Sequence, residues 1–240
     1  VNWQGSGSEA QARVGFTVGS GRSGSAARWP ATGVLHMWEW SLGWGEVTPD
    51  LVVGSCPMTP DDLATIARDA GVSAVLSLQH RDCLAWWGID YELMCRAGTG
   101  QGLRMARCAI RDFDVADMRR RLPRAVAELA ALRAQGHRVY VHCTAGLGRS
   151  PLTVLAYLVL IEGYASQTAI GLIHGARPGA VPSWEALHGC HEDLVARHRE
   201  AIQRRAYELY LQAVHRDAAA DWRRAEAEVL RSALLNESAS

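Results

Sequence analysis

The run Val141-His142-Cys143-Thr144-Ala145-Gly146-Leu147-Gly148-Arg149-Ser150-Pro151 decides how the rest of the chain is read. It stands between a strand-like stretch, 137–142, and a helix-like stretch, 151–163. A cysteine followed six residues later by arginine is common by chance in 240 residues that hold six cysteines and 25 arginines. Adding His142, Gly146 and Gly148 lowers the chance expectation to roughly two in ten thousand on this composition. A tight loop that opens a helix aims several backbone N–H groups at one point, and the helix terminus adds partial positive charge there. An oxyanion fits such a cradle. Gly146 and Gly148 allow close backbone approach, and Arg149 supplies a planar fork of donors for two phosphate oxygens. Thr144, Ala145, Gly146, Leu147, Gly148 and Ser150 are the expected phosphate-binding positions. Within that positive surrounding Cys143 is expected to ionise readily and act as a nucleophile, with Ser150 placed to donate to it.

Outward from the loop, strand-like runs at 51–54, 74–78, 105–110 and 137–142 alternate with helix-like runs at 59–70, 117–135 and 151–163. This alternation predicts a mixed or parallel sheet flanked by helices, an α/β fold whose ligands collect at the carboxyl ends of the strands. After Pro182 the chain is helical in propensity, over 183–215 and again over 218–235. The first 33 residues are rich in glycine, serine and arginine with a single acid, Glu9, and read as a disordered arm. That composition suits the end of an organelle transit peptide and a plain flexible arm equally. The expected organisation is therefore an arm over 1–33, one catalytic domain over 34–200 and a helical extension over 201–240.

Composition excludes several classes of function. The 25 basic residues, all arginine, balance 25 acidic ones, which disfavours nucleic acid as a partner. Absence of lysine removes Schiff-base chemistry. No apolar run approaches the ~20 residues of a membrane helix, so no membrane association is expected. The cysteines lie far apart without a CxxC pair or zinc-ligand spacing, so neither a metal nor another cofactor is expected.

Hydrolysis of a phosphomonoester needs an acid for the departing oxygen. Asp112, Asp114 and Asp117 lie 31, 29 and 26 residues before Cys143, and spacing alone does not choose among them. One of the three is expected to cap the following helix, a role assigned to Asp117.

Residues 142–150 resemble the HCxxGxGRS loop of cysteine-dependent tyrosine and dual-specificity phosphatases, which implies that family's fold and a phosphocysteine intermediate without metal. Ile110-Arg111-Asp112-Phe113-Asp114 and Met118-Arg119-Arg120-Arg121-Leu122-Pro123 further resemble the plant and algal glucan phosphatases of the starch-excess type. The resemblance extends to Pro49–Cys56, Thr59-Pro60-Asp61-Asp62, Leu78-Gln79, Trp86–Asp90 and Ala220-Asp221-Trp222-Arg223. It implies that Asp112 is the general acid, that phosphorylated glucan (starch, amylopectin, maltooligosaccharide) is the substrate, and that the enzyme works in a plastid. Too few residues follow the phosphatase-like part for a starch-binding module, so the smaller branch lacking one is the expected match. Ser150 replaces the alanine common in plant members, and Ser77 stands where some members carry a redox-partner cysteine.

Nine tryptophans against two phenylalanines suit stacking on sugar rings. Trp86 and Trp87, read as an extended pair, cannot both point inward, so at least one is expected to be exposed. With Phe113 they form the expected glucan platform, and Trp38 is a further candidate. For Trp38 and for Trp184 a core role is at least as well supported. Two rivals remain at this stage: a phosphatase acting on phosphoprotein or small phosphoesters, and an inactive glucan- or phospho-binding scaffold.

Overall fold

The computed structural model describes residues 40–212 and 217–237. The chain divides into two units, Val1–Ser41 and Leu42–Ser240, and almost all that is described belongs to the second. The expected disordered arm and Trp38 lie outside the described residues.

Five strands form one sheet: β1 (Trp44–Thr48), β2 (Leu51–Gly54), β3 (Ala74–Gln79), β4 (Arg104–Ile110) and β5 (Val139–His142). Their order is β1-β2-β5-β3-β4. Only β1 runs antiparallel to its neighbour, and β2, β5, β3 and β4 are mutually parallel. Every residue of β2, β3 and β5 is buried, which explains their unbroken Val/Leu texture in place of alternation. Because Gly54 pairs with His142 and His142 with Ser77, the carboxyl ends of the central strands finish level with one another. The mixed sheet flanked by helices is the architecture expected from the sequence.

The helices are α1 (Pro60–Asp69), α2 (Arg81–Trp87), α3 (Tyr91–Gly100), α4 (Val115–Ala134), α5 (Arg149–Leu160), α6 (Ser166–Ala176), α7 (Trp184–Arg197), α8 (Arg199–Gln212) and α9 (Ala218–Glu237). Thr59 and Asp62 form a reciprocal capping box with Pro60 at the first helical position, so α1 begins where its sequence signature places it. In α5, the helix that opens from the loop, all residues from Arg149 to Val159 are buried. No described helix is long and apolar enough to cross a membrane.

Three expectations are corrected. The stretch expected to be helical from 183 onward holds, as far as Gln212, two helices rather than one, parted at His198, whose N–H bonds to the Leu194 carbonyl while the chain turns. The cap of α4 is Asp114, which accepts from the Asp117 amide, and Asp117 is the third residue inside the helix. Trp86 and Trp87 lie on α2, not on an extended segment, although the inference that one is exposed still holds for Trp86, at 55%.

Candidate active site

The loop after β5 is held from outside by its carbonyls. His142 Nδ1 donates to the Cys143 carbonyl at 3.0 Å, and the Cys56 amide donates to that of Thr144 at 2.9 Å. Arg177 Nη2 donates to the Ala145 carbonyl at 3.0 Å, and the Val181 amide to that of Leu147 at 2.6 Å. In a planar trans peptide the N–H points opposite to the C=O. The amides of Thr144, Ala145, Gly146 and Gly148 are therefore turned away from these partners, toward the inside of the loop. Among the described residues no acceptor takes a hydrogen bond from these amides. Gly146 is indispensable here, since its φ is +74° and a Cβ would fall 2.4 Å from the Gly54 carbonyl carbon at the end of β2.

Arg149, the first residue of α5, is completely buried. Its Nη1 donates to the Ile110 carbonyl at 2.9 Å and stands 3.4 Å from the Cys83 sulfur. Its Nη2 reaches Asp112 Oδ2 at 2.6 Å and Thr144 Oγ1 at 3.0 Å. Nε, buried as well, has no partner among the described residues. A buried guanidinium N–H left unpaired is costly, and with the inward-facing amides it forms a set of donors chemically suited to an anion. Burial opposes the Arg149 charge, but Cys143 and Asp112 next to it hold it protonated.

Cys143 is 3% exposed. Burial favours the neutral thiol, yet the Arg149 charge, together with the Ser150 hydroxyl and amide, outweighs it and holds the thiol below its ordinary range. The Ser150 hydroxyl lies 3.4 Å from the sulfur. His142 is driven the other way: burial first, then the Arg149 charge, lower it to about 4, so the ring is neutral. Its Nδ1–H can then donate steadily to the Cys143 carbonyl.

Asp112 reaches this centre because the segment between β4 and α4 is pinned at both ends. The buried Asp117 carboxylate accepts from the Arg111 amide at 2.8 Å and pairs with Arg120 and Arg121. The turn passes through Phe113 at φ +56°, a left-handed conformation that L side chains adopt at a cost. Phe113 is left 60% exposed. Helix α2 borders the centre through the contact of Cys83 with Arg149, and carries Trp86 on its open side with Trp87 half-buried. Trp184 begins α7 and packs against His188.

Three contributors escaped the sequence reading. Arg177 and Cys56 touch the loop from distant segments, and only the tertiary structure reveals them. Gln79, buried at the end of β3, places Nε2 3.5 Å from Thr144 Oγ1; a polar residue ending an apolar strand was a usable signal.

A buried thiol held in an anion cradle at the end of a parallel sheet defines a cysteine-centred phosphoryl-transfer site. Residues 72–190 match the family described as "Dual specificity phosphatase, catalytic domain", and the chain carries a catalytic domain of this family of cysteine-dependent phosphatases. It is 36% identical to the amyloplastic phosphoglucan phosphatase DSP4 of Castanea sativa, over 68% of this chain and 44% of that protein. To the chloroplastic phosphoglucan phosphatase LSF1 of Arabidopsis thaliana it is 31% identical, over 63% of this chain and 24% of that one. The chain thus spans less than half the length of either relative. The crystal structure of PTPMT1 superposes with a TM-score of 0.50 at 21% identity, over 66% of this chain and 99% of that one, a likeness of fold.

Proposed function

We propose that the protein is a phosphoglucan phosphatase that hydrolyses phosphate monoesters on starch-like glucan. The observation that carries this reading is a junction of two features. An anion cradle surrounds a buried thiol, and exposed aromatic rings stand on the segments that touch its arginine. Trp86 rides on α2, whose Cys83 meets Arg149, and Phe113 follows Asp112, which pairs with it. Flat apolar rings beside a phosphate site suit sugar rings bearing a phosphate. Similarity to two phosphoglucan phosphatases favours the same substrate, and their plastid names favour a plastid location for this enzyme.

In this reading the Cys143 thiolate attacks phosphorus in line with the scissile oxygen. The inward amides and Arg149 hold the equatorial oxygens, whose charge they follow into the transition state. Arg149 turns its fork to the phosphoryl group, which releases Asp112 toward the leaving oxygen. Freed from Arg149, the Asp112 carboxylate takes the proton of a monoanionic phosphate ester and, as the P–O bond breaks, gives it to the sugar alkoxide, leaving an S–P bond on Cys143. Water then attacks this phosphocysteine, surrendering a proton to the Asp112 carboxylate. The thiolate departs, assisted by the Ser150 hydroxyl.

The deciding experiment compares phosphate release from solubilised amylopectin with release from phosphotyrosyl peptides. Faster turnover of amylopectin is expected. A preference for the peptides would favour the rival phosphoprotein reading, and no release from either would favour the scaffold.

A further inference from the structure

We infer that Arg177 is a positioning residue of the phosphate loop: by holding the Ala145 carbonyl outward it aims the Gly146 amide at the phosphoryl group. The inference rests on the phosphatase reading above and adds to it a residue outside the loop.

Arg177 ends α6 and is tied in place before it reaches the loop. Its amide bonds to Ile173 at 2.7 Å, its carbonyl accepts from Ala180 at 2.9 Å, and His174 Nε2 meets the Ala180 carbonyl at 3.1 Å. The end of α6 lies hard against β1, where a Cβ on Gly45 would fall 1.8 Å from the Ala176 carbonyl oxygen. The guanidinium spans from this braced turn to the Ala145 carbonyl, with Nη1 against Gly43, where an added Cβ would come within 3.2 Å. Its Nε is buried without a partner among the described residues. Such a cost is tolerated where the head group has a fixed task.

The task follows from peptide geometry. Three of the four loop carbonyls named above are held by backbone amides or by the neighbouring His142, whereas that of Ala145 depends on one distant side chain. Gly146, at φ +74°, has the freedom that lets the Ala145–Gly146 peptide plane flip. A flip would turn the carbonyl oxygen inward and replace a donor to phosphate with a repelling dipole. Arg177 is the restraint against that flip.

The test is the full chain carrying Arg177→Met, which keeps the aliphatic bulk. The dissociation constant for inorganic phosphate, read by calorimetry, is expected to rise about tenfold. Alkylation of Cys143 by iodoacetate should move to higher pH, since the same amide faces the thiolate. Arg177→Lys should recover part of both. A lowered melting temperature with parental phosphate affinity and alkylation profile would overturn the inference, leaving Arg177 a structural residue only. If Arg177→Met does not fold, Arg177→Gln, too short to span to the carbonyl, carries the same expectation and the same refutation. Neither readout needs turnover. Failure of the phosphatase reading would appear instead in the unmodified protein, as phosphate binding without hydrolysis of any phosphoester.

Discussion

Asp112 Oδ2 lies 2.6 Å from Nη2 of Arg149, the arginine fully buried and the carboxylate one-third open to solvent. In the proposed mechanism this pairing holds the acid and the phosphate clamp on each other until a phosphoryl group arrives. Asp112→Ala should lower the rate on sugar alkoxide leaving groups by about 10²–10⁴-fold, but that on an activated aryl phosphate far less, because an aryl oxide needs little protonation. Equal losses on the two substrates would remove Asp112 from the acid role. A selective loss in Asp114→Ala instead is not expected, since Asp114 is engaged as the α4 cap.

Cys143→Ser should reduce turnover on the order of a thousandfold or more, with phosphate affinity largely kept, because the amides and Arg149 are untouched. Calorimetric titration with phosphate beside a turnover assay checks both halves. Chelators should leave the unmodified enzyme unaffected, and activity restored by added metal would contradict the thiolate mechanism.

Trp86 and Phe113 are exposed at 55% and 60%, so truncating them leaves no cavity. Trp86→Ala should change stability by no more than about 0.5 kcal/mol and slow glucan hydrolysis while sparing a small aryl phosphate. Phe113→Gly adds a second signature. It removes the cost of a left-handed Phe, about 1 kcal/mol, so the melting temperature should hold or rise while glucan turnover falls. Parallel losses on both substrates with lowered melting temperatures would refute the platform.

The buried His142 makes stability pH-dependent. Its folded value of about 4 lies below the ordinary 6.5, so between these limits the unfolded chain binds the additional proton. The stability contribution is full above pH 6.5 and is lost as pH falls toward 4, on the order of 3 kcal/mol in all. Melting temperatures measured from pH 7 to 4.5 should fall accordingly. His142→Asn, which retains a donor for the Cys143 carbonyl, should flatten that slope.

What the sequence made legible was local. The loop could be read because a thiol, two glycines and an arginine must lie close in sequence to wrap one anion, and α1 because Thr59, Pro60 and Asp62 announce its start. The split between α7 and α8 left no mark, since no glycine or proline interrupts the helical propensity around His198. Helices α2 and α3 were missed because they are capped by His80 and Asp90, polar residues that also suit turns, with no proline to mark the first helical position. Between Asp114 and Asp117 the sequence reading placed the cap on the wrong residue: both are acceptors near a helix start, and only the hydrogen bond from the Asp117 amide to Asp114 decides. The Asp112–Arg149 contact spans 37 positions and that of Arg177 with Ala145 spans 32, separations over which no local pattern operates.

The four outward carbonyls of the phosphate loop have a consequence for how the chain acquires its activity. Their partners are His142, Cys56, Arg177 and Val181, so the loop takes its working shape only after segments at both ends of the phosphatase unit have met. Contacts of such long sequence separation form late, once the entropy of closing the intervening chain has been overcome. A nascent or nicked polypeptide that ends before Val181 would therefore hold the nucleophile and the arginine without a finished receptor around them. Phosphate, binding the closed form alone, would act as a late-stage folding ligand that draws the equilibrium toward the completed molecule.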